Sequence, residues 1–332
     1  MVAKTRSSKS ITPIEDEIMD VKPIITNSKI KKPKLVAKVK PKLIKSHSDL
    51  EDLLTHIAIP KDLALPQEYI NYHTSDFIEG IRHILKVDPS LYPVIVHSNF
   101  ERFNINKVAK NNALIHDYWY NLVSSVIAQQ ISGSAAKSIE SKFKQLFQDE
   151  IPTPAKTLSF THEELRSVGF SNSKVKYVMD ISEAFNDPSH KLTNINFYQD
   201  SRIEDIILEL CKLKGIGPWS AKMFAIFTLE KMNVFAEDDL GIARGMARYL
   251  KIRPEYFKLI KNESANHEPT QLLLKRKTKF ASKENSKRNW IPIHDAYVKY
   301  IAEKFSPYKT VFMMILWRLS STNIDVLSKL DE

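Results

Sequence analysis

Two of the chain's seven glycines, Gly215 and Gly217, stand one residue apart in "KLKGIGPWSAKM". A glycine has no Cβ, so it takes up positive φ readily and leaves its amide open. A helix–Gly-x-Gly–helix corner turns successive N–H groups outward at the start of the second helix. Those amides and the helix dipole suit a phosphate oxygen. Pro218 fits the first turn of that helix, where its missing N–H costs nothing. Helix corners that serve packing alone use the same spacing, so the glycines by themselves leave both uses open. A dinucleotide-binding fingerprint is excluded, because the preceding segment reads as helix and no third glycine follows three residues on. Trp219 adds a flat apolar face. About twenty residues later, Asp238 and Asp239 precede "LGIARGMARYL". Asp239 is placed as the N-cap of that helix. First-turn amides favour the ionised form of such a carboxylate. Beside a cleft it can stabilise a positively charged transition state. A structural cap with a charged neighbour is the other use of the pair.

The elements that must position these residues read as helices throughout. "TSDFIEGIRHILKVDPSLYPVIVHS" shows apolar residues at helical spacing, with Ser75 predicted as N-cap. "THEELRSVGFSNSKVKYVMDISEAF" reads as two helices joined at Gly169. Thr161 and Glu164 form a capping box for the first of them. No alternating strands are found after residue 100. The expected fold is all-α, with nine or ten helices.

Bulk properties narrow the classes. Among 332 residues, 43% are hydrophobic, enough for a globular core. The single cysteine, Cys211, excludes a disulfide framework and any all-cysteine metal or cluster site. No apolar run approaches the ~18 residues of a membrane span. The ten histidines are scattered, without a metal-ligand pairing. The start is basic and serine-rich but lacks the apolar core of a secretory signal. Four acids among residues 15–20 argue against a mitochondrial presequence.

The net charge of +10 is unevenly distributed. Residues 1–50 carry twelve Lys/Arg against five Asp/Glu, and the remainder carries thirty-seven against thirty-four. The globular part is therefore close to neutral, and nucleic-acid binding has to be argued from local features. Residues 1–60 read as a disordered basic tail, with nine lysines and no acid between Val21 and Lys45. A nuclear import signal or a loose DNA tether are its two candidate roles. Residues 61–325 form the helical domain, and 326–332 a C-terminal tail. Within the domain, 262–289 reads as a basic insertion, partly disordered, between two core helices.

Taken together, "LKGIGPWSAKMF" and "VFAEDDLGIARG" resemble the helix–hairpin–helix DNA glycosylases, in which a Gly/Pro-rich segment ends in an aspartate. "SVIAQQISGSAAKSI", "VGFSNSKVKYV" and "FSPYKTVFMMILWRLSSTN" agree and lie in the family's order. The resemblance covers roughly residues 75–325 and is strongest to the fungal members of the 3-methyladenine DNA glycosylase branch. It implies two helical lobes with a cleft between them, and Asp239 rather than Asp238 as the catalytic carboxylate. Members that also cut the strand carry a lysine where this chain has Trp219. The resemblance therefore implies a monofunctional enzyme that uses water. Lys222, one turn on, is the nearby amine, and in the family that side faces away from the sugar. The family's four-cysteine run is missing, so no iron–sulfur cluster is implied. A monovalent cation at the hairpin is.

The resemblance also assigns the remaining residues. Trp219 and Trp317 match the aromatic base pocket, Tyr118 maps there more weakly, with Trp119 and Tyr120 beside it, and Met223 stands where bacterial members have tyrosine. Gln129 and Gln130 sit where the family wedges the base stack. Packing against the hairpin is their alternative use, and core packing is that of Trp317. Lys222 and Lys174 join Gly215 and Gly217 as expected DNA contacts. The substrate implied is duplex DNA with alkylated purines, flipped out of the stack. Alkylation at N3 or N7 makes the base cationic, and an aromatic face attracts a cation by ~0.5–2 kcal/mol. A nuclear monomer without membrane contact is expected. The rival readings are a non-catalytic hairpin module that grips DNA and a bifunctional enzyme for oxidised bases.

Overall fold

Prolines and capping residues cut the chain into short helices. The computed structural model describes residues 57–106, 114–148, 150–280 and 290–320. The tails at 1–56 and 321–332 lie outside them, as does 281–289 of the insertion. Among the described residues there are sixteen α-helices and no strand. The count exceeds nine or ten because six helices span seven residues or fewer, too short to show a repeat in sequence.

These helices enclose two hydrophobic cores. The first is built by α1 (Gln67–Tyr72), α2 (Ser75–Val87) and α3 (Tyr92–Val96) from the N-terminal side. It is completed by α12 (Leu240–Lys251), α13 (Pro254–Glu263), α15 (Asp295–Glu303) and α16 (Lys309–Ser320). The second core is formed by the intervening chain. It comprises α4 (Ile115–Ala128), α5 (Gly133–Gln145), α7 (His162–Ser167), α8 (Asn172–Asn186), α9 (Ile195–Asp200) and α10 (Ile203–Leu210), with α6 (Pro154–Leu158) packed against α8. Helix α11 (Pro218–Phe227) passes from one to the other. Its Ala221 and Phe224 lie in the second core, and Ala225 and Ile226 in the first.

Two lobes thus meet along the helix that follows the glycine corner. The N-terminal lobe segment is tied to the C-terminal helix by Arg318. Its buried guanidinium donates to the carbonyls of Val94, Ile95 and Asn99, each at 2.9 Å, and lies 3.5 Å over the Phe100 ring. Burial pulls its pKa down to about 10.

Helices α12 and α16 approach closely, and two glycines four residues apart make it possible. At Gly245 an added Cβ would overlap the carbonyl oxygen of Leu316, and at Gly241 it would lie 2.7 Å from Cδ1 of Trp317. The capping box at Thr161 and Glu164 forms as read. Ser75 is not an N-cap. It is the first residue of α2, and Thr74 holds the cap position because its own N–H is drawn to the carbonyl of Phe103 at 2.9 Å. Among the insertion's described residues, α13 ends at Glu263 and α14 (Glu268–Leu274) follows. His267 caps α14 at Thr270, and Arg276 pairs with Asp295.

Candidate active site

The glycine corner is anchored by apolar residues on either side. Leu213 and Ile216 are buried, while Gly217, Pro218 and Trp219 are exposed. Only one of the two glycines is left-handed. Gly215 has φ 85°, and the face where its Cβ would stand is filled by Tyr177 of α8. Gly217 has φ −95° and serves as the N-cap of α11 without a side-chain bond. Nothing lies within 4 Å of the place its Cβ would occupy. Gly215 is therefore required by conformation, and Gly217 leaves the helix N-terminus open for an approaching anion.

The corner is braced by neighbours. The Lys214 amide donates to Asp180 of α8 at 2.8 Å, and Gln129 Nε2 donates to the Gly215 carbonyl at 2.9 Å. Gln129 thus packs on the hairpin, while Gln130 next to it has φ 60° in the loop between α4 and α5. Lys174 has a partner within the protein. Its Nζ donates to the Ile127 carbonyl at 2.6 Å, where it serves the C-terminal end of α4, and burial lowers its pKa.

The loop after α11 brings three consecutive acids to the N-terminus of α12, each with its own partner. Glu237 accepts from Lys222 Nζ at 2.6 Å. Asp238 accepts from Lys279 at its carboxylate (3.1 Å) and at its carbonyl (3.0 Å). Asp239 caps α12, with Oδ1 accepting the Ile242 amide at 2.9 Å. The same Oδ1 accepts Trp317 Nε1 at 2.8 Å, and Oδ2 accepts Trp219 Nε1 at 2.9 Å. Two indole edges and one amide therefore fix this carboxylate.

The two tryptophans come from elements far apart in the chain, and Gly241 lets the edge of Trp317 reach Asp239. Trp317 has a second neighbour that sequence reasoning missed. Phe227 stacks on it at 5.9 Å between centroids, and Arg102 lies 4.6 Å over Phe227. Trp219 remains 43% exposed. Met223, half-buried on α11, packs against the first core. Tyr118 is buried in the second core against Tyr198 and Phe224, and no hydrogen bond or ring contact joins it to Asp239 or to either indole. Trp119 is fully buried and donates to Ser182.

Lys222 likewise has a partner within the protein. Its side chain is 17% exposed and held by Glu237. Glu237, Lys279 and Phe227 carried no motif. Gly241 and Gly245 did carry a readable signal, a four-residue spacing of small residues on one helix face. Among the described residues no group of three His, Cys, Asp or Glu could hold a metal ion, and no helix is long and apolar enough to cross a membrane.

A glycine corner at one helix N-terminus, and a carboxylate held at the next, define a helix–hairpin–helix protein with a site for anionic and cationic chemistry side by side. Residues 123–311 match the model of the HhH-GPD superfamily base excision DNA repair proteins. The DNA-3-methyladenine glycosylase of Saccharomyces cerevisiae is 37% identical over 286 residues, covering 82% of this chain and 90% of that protein. DNA-3-methyladenine glycosylase 1 of Schizosaccharomyces pombe is 32% identical over 142 residues, 40% of this chain and 58% of that one. The crystal structure of a DNA-3-methyladenine glycosidase from Bacillus halodurans shares the fold, with a TM-score of 0.51 and 23% identity over 73% of this chain and 89% of that one. The chain belongs to the HhH-GPD superfamily of base excision DNA repair proteins.

Proposed function

We infer that the chain is a monofunctional DNA glycosylase that removes alkylated purines, 3-methyladenine and 7-methylguanine among them, from duplex DNA. The observation that carries this reading is the Asp239 carboxylate, held by two indole N–H groups at a helix N-terminus beside the open glycine corner. The corner's amides hold a phosphate of the damaged strand, and the nucleotide flips out at a cost of a few kcal/mol. Gln130, in its left-handed loop, fills the gap. The exposed face of Trp219 receives the cationic base. Alkylation has already weakened the N-glycosidic bond, so the leaving base needs no proton from the enzyme. As it departs, the sugar gains oxocarbenium character, and Asp239 stabilises that charge and orients the water that adds at C1′.

Trp219 offers no amine, and Lys222 is engaged by Glu237, so the product is an abasic site in an uncut strand. A monovalent cation at the corner would draw on its carbonyl oxygens, of which that of Gly215 already accepts from Gln129. The protein acts as a nuclear monomer, its basic N-terminal tail serving import.

The test is release of labelled 3-methyladenine from methylated duplex DNA, with strand cutting assayed in parallel. The expected outcome is release without cutting, reduced about 10²–10³-fold in Asp239→Asn while DNA binding is kept. No release by the wild type would leave a DNA-gripping module. Release with cutting would make it a lyase.

A further inference from the structure

Glu237, Asp238 and Asp239 place three carboxylates in a row at one helix N-terminus. Left alone they would oppose both a phosphate backbone and one another's ionisation, because a like charge nearby favours the protonated form. The row is divided by its partners. Lys222, one turn after Trp219 on α11, holds Glu237 at 2.6 Å, with both side chains mostly buried. Lys279 reaches out of the insertion to Asp238. The other oxygen of Asp238, Oδ1, is buried without a hydrogen-bond partner, so among the described residues Lys279 is the side chain that answers this carboxylate. Among the described residues, Asp239 has N–H donors and no cation.

We propose that Lys222 and Lys279 are positioning residues that confine the negative charge of this row to Asp239, and that Lys279 of the basic insertion is thereby part of the active site. The proposal rests on the reading of Asp239 above and deepens it. Helix α11 supplies an indole to Asp239 and an ammonium to Glu237 from successive turns, so one helix sets both. Lys279 ties the loop through the backbone carbonyl of Asp238 as well as its carboxylate. Other charged groups around Asp239 do not take this role. Arg318 follows Trp317 on α16 but points to the carbonyls of residues 94–99. Arg102 lies over the Phe227 ring and donates to the Phe227 carbonyl. Arg244 lies a turn further along α12.

The measurement is single-turnover release of 3-methyladenine from methylated duplex DNA across a pH series. Lys222→Met moves the acid limb of the rate profile upward by about one pH unit, a loss of about tenfold below the limb and little at its plateau. Lys279→Met, at a side chain 51% exposed, moves it less, about threefold, because solvent screens the pair. Adding Glu237→Gln to Lys222→Met returns the limb toward the wild-type position, and Lys279→Arg keeps the wild-type profile. A limb unmoved in both single variants overturns the proposal. So does a double variant as displaced as Lys222→Met alone, which would make the lysine a packing or DNA-binding group. Lys279→Met carries the test if Lys222→Met does not fold, which a thermal melt reports. Asp239→Asn is measured alongside. Full rate in that variant removes the underlying reading, whereas a slow Asp239→Asn with unmoved lysine variants removes only the charge confinement.

Discussion

Two helix N-termini of this protein are treated in opposite ways. Helix α11 begins at Gly217, which offers no side chain and faces open space. Helix α12 begins at Asp239, whose carboxylate takes the first-turn amide and two indole N–H groups as well. Both ends carry the same partial positive charge from aligned peptide dipoles. One leaves it bare for an anion from outside, and the other fills it with an anion of its own. The difference teaches that a helix start becomes a binding site or a catalytic site according to one residue, glycine or aspartate. It depends also on what the rest of the fold brings to that residue.

The comparison is most strongly broken from the packing side. Gly245→Ala forces a Cβ into the backbone of Leu316, and overpacking against backbone costs about 3 kcal/mol. The helical preference of alanine returns about 1 kcal/mol. The net is a destabilisation of about 2 kcal/mol, read by denaturant unfolding, with Trp317 displaced from Asp239 and base release slowed. Trp317→Phe keeps an aromatic ring and removes one donor to the carboxylate. A hydrogen bond to a charged group contributes about 1.5–3 kcal/mol, so single-turnover release should slow at least about tenfold, with DNA affinity retained. Gly217→Asp makes the first N-terminus like the second. An anion then stands where the phosphate would bind, and affinity for duplex DNA should fall about tenfold, with a changed salt dependence. Unchanged affinity would show that the corner is a packing device alone.

Much of this arrangement is legible in sequence where the physics is local. The Thr161–Glu164 box, Pro218 in the first turn and Asp239 as a cap each depend on residues within four positions of one another. The indoles were marked as base walls through resemblance. Their role as donors to Asp239 was not visible, because Trp317 lies 78 positions away and meets it only through the close crossing of α12 and α16. The partners of two lysines were not visible for the same reason. Lys222 and Lys174 read as surface cations available to DNA, but a carboxylate and a helix-end carbonyl from other segments already hold them. The boundaries of short helices were missed because five or six residues complete barely more than one turn.

The sequence by itself determined the all-α class, the glycine corner and the carboxylate that starts α12. Backbone conformation and capping are settled between near neighbours, and such signals are written in composition and spacing. Only the tertiary structure decided that the N-terminal helices join the C-terminal lobe, that α11 bridges the two cores, and that each acid of the row has a different partner. Those outcomes depend on where distant elements pack. A hydrogen bond needs its two atoms within about 3 Å, and chain separation says nothing about which distant atoms the packing brings that close.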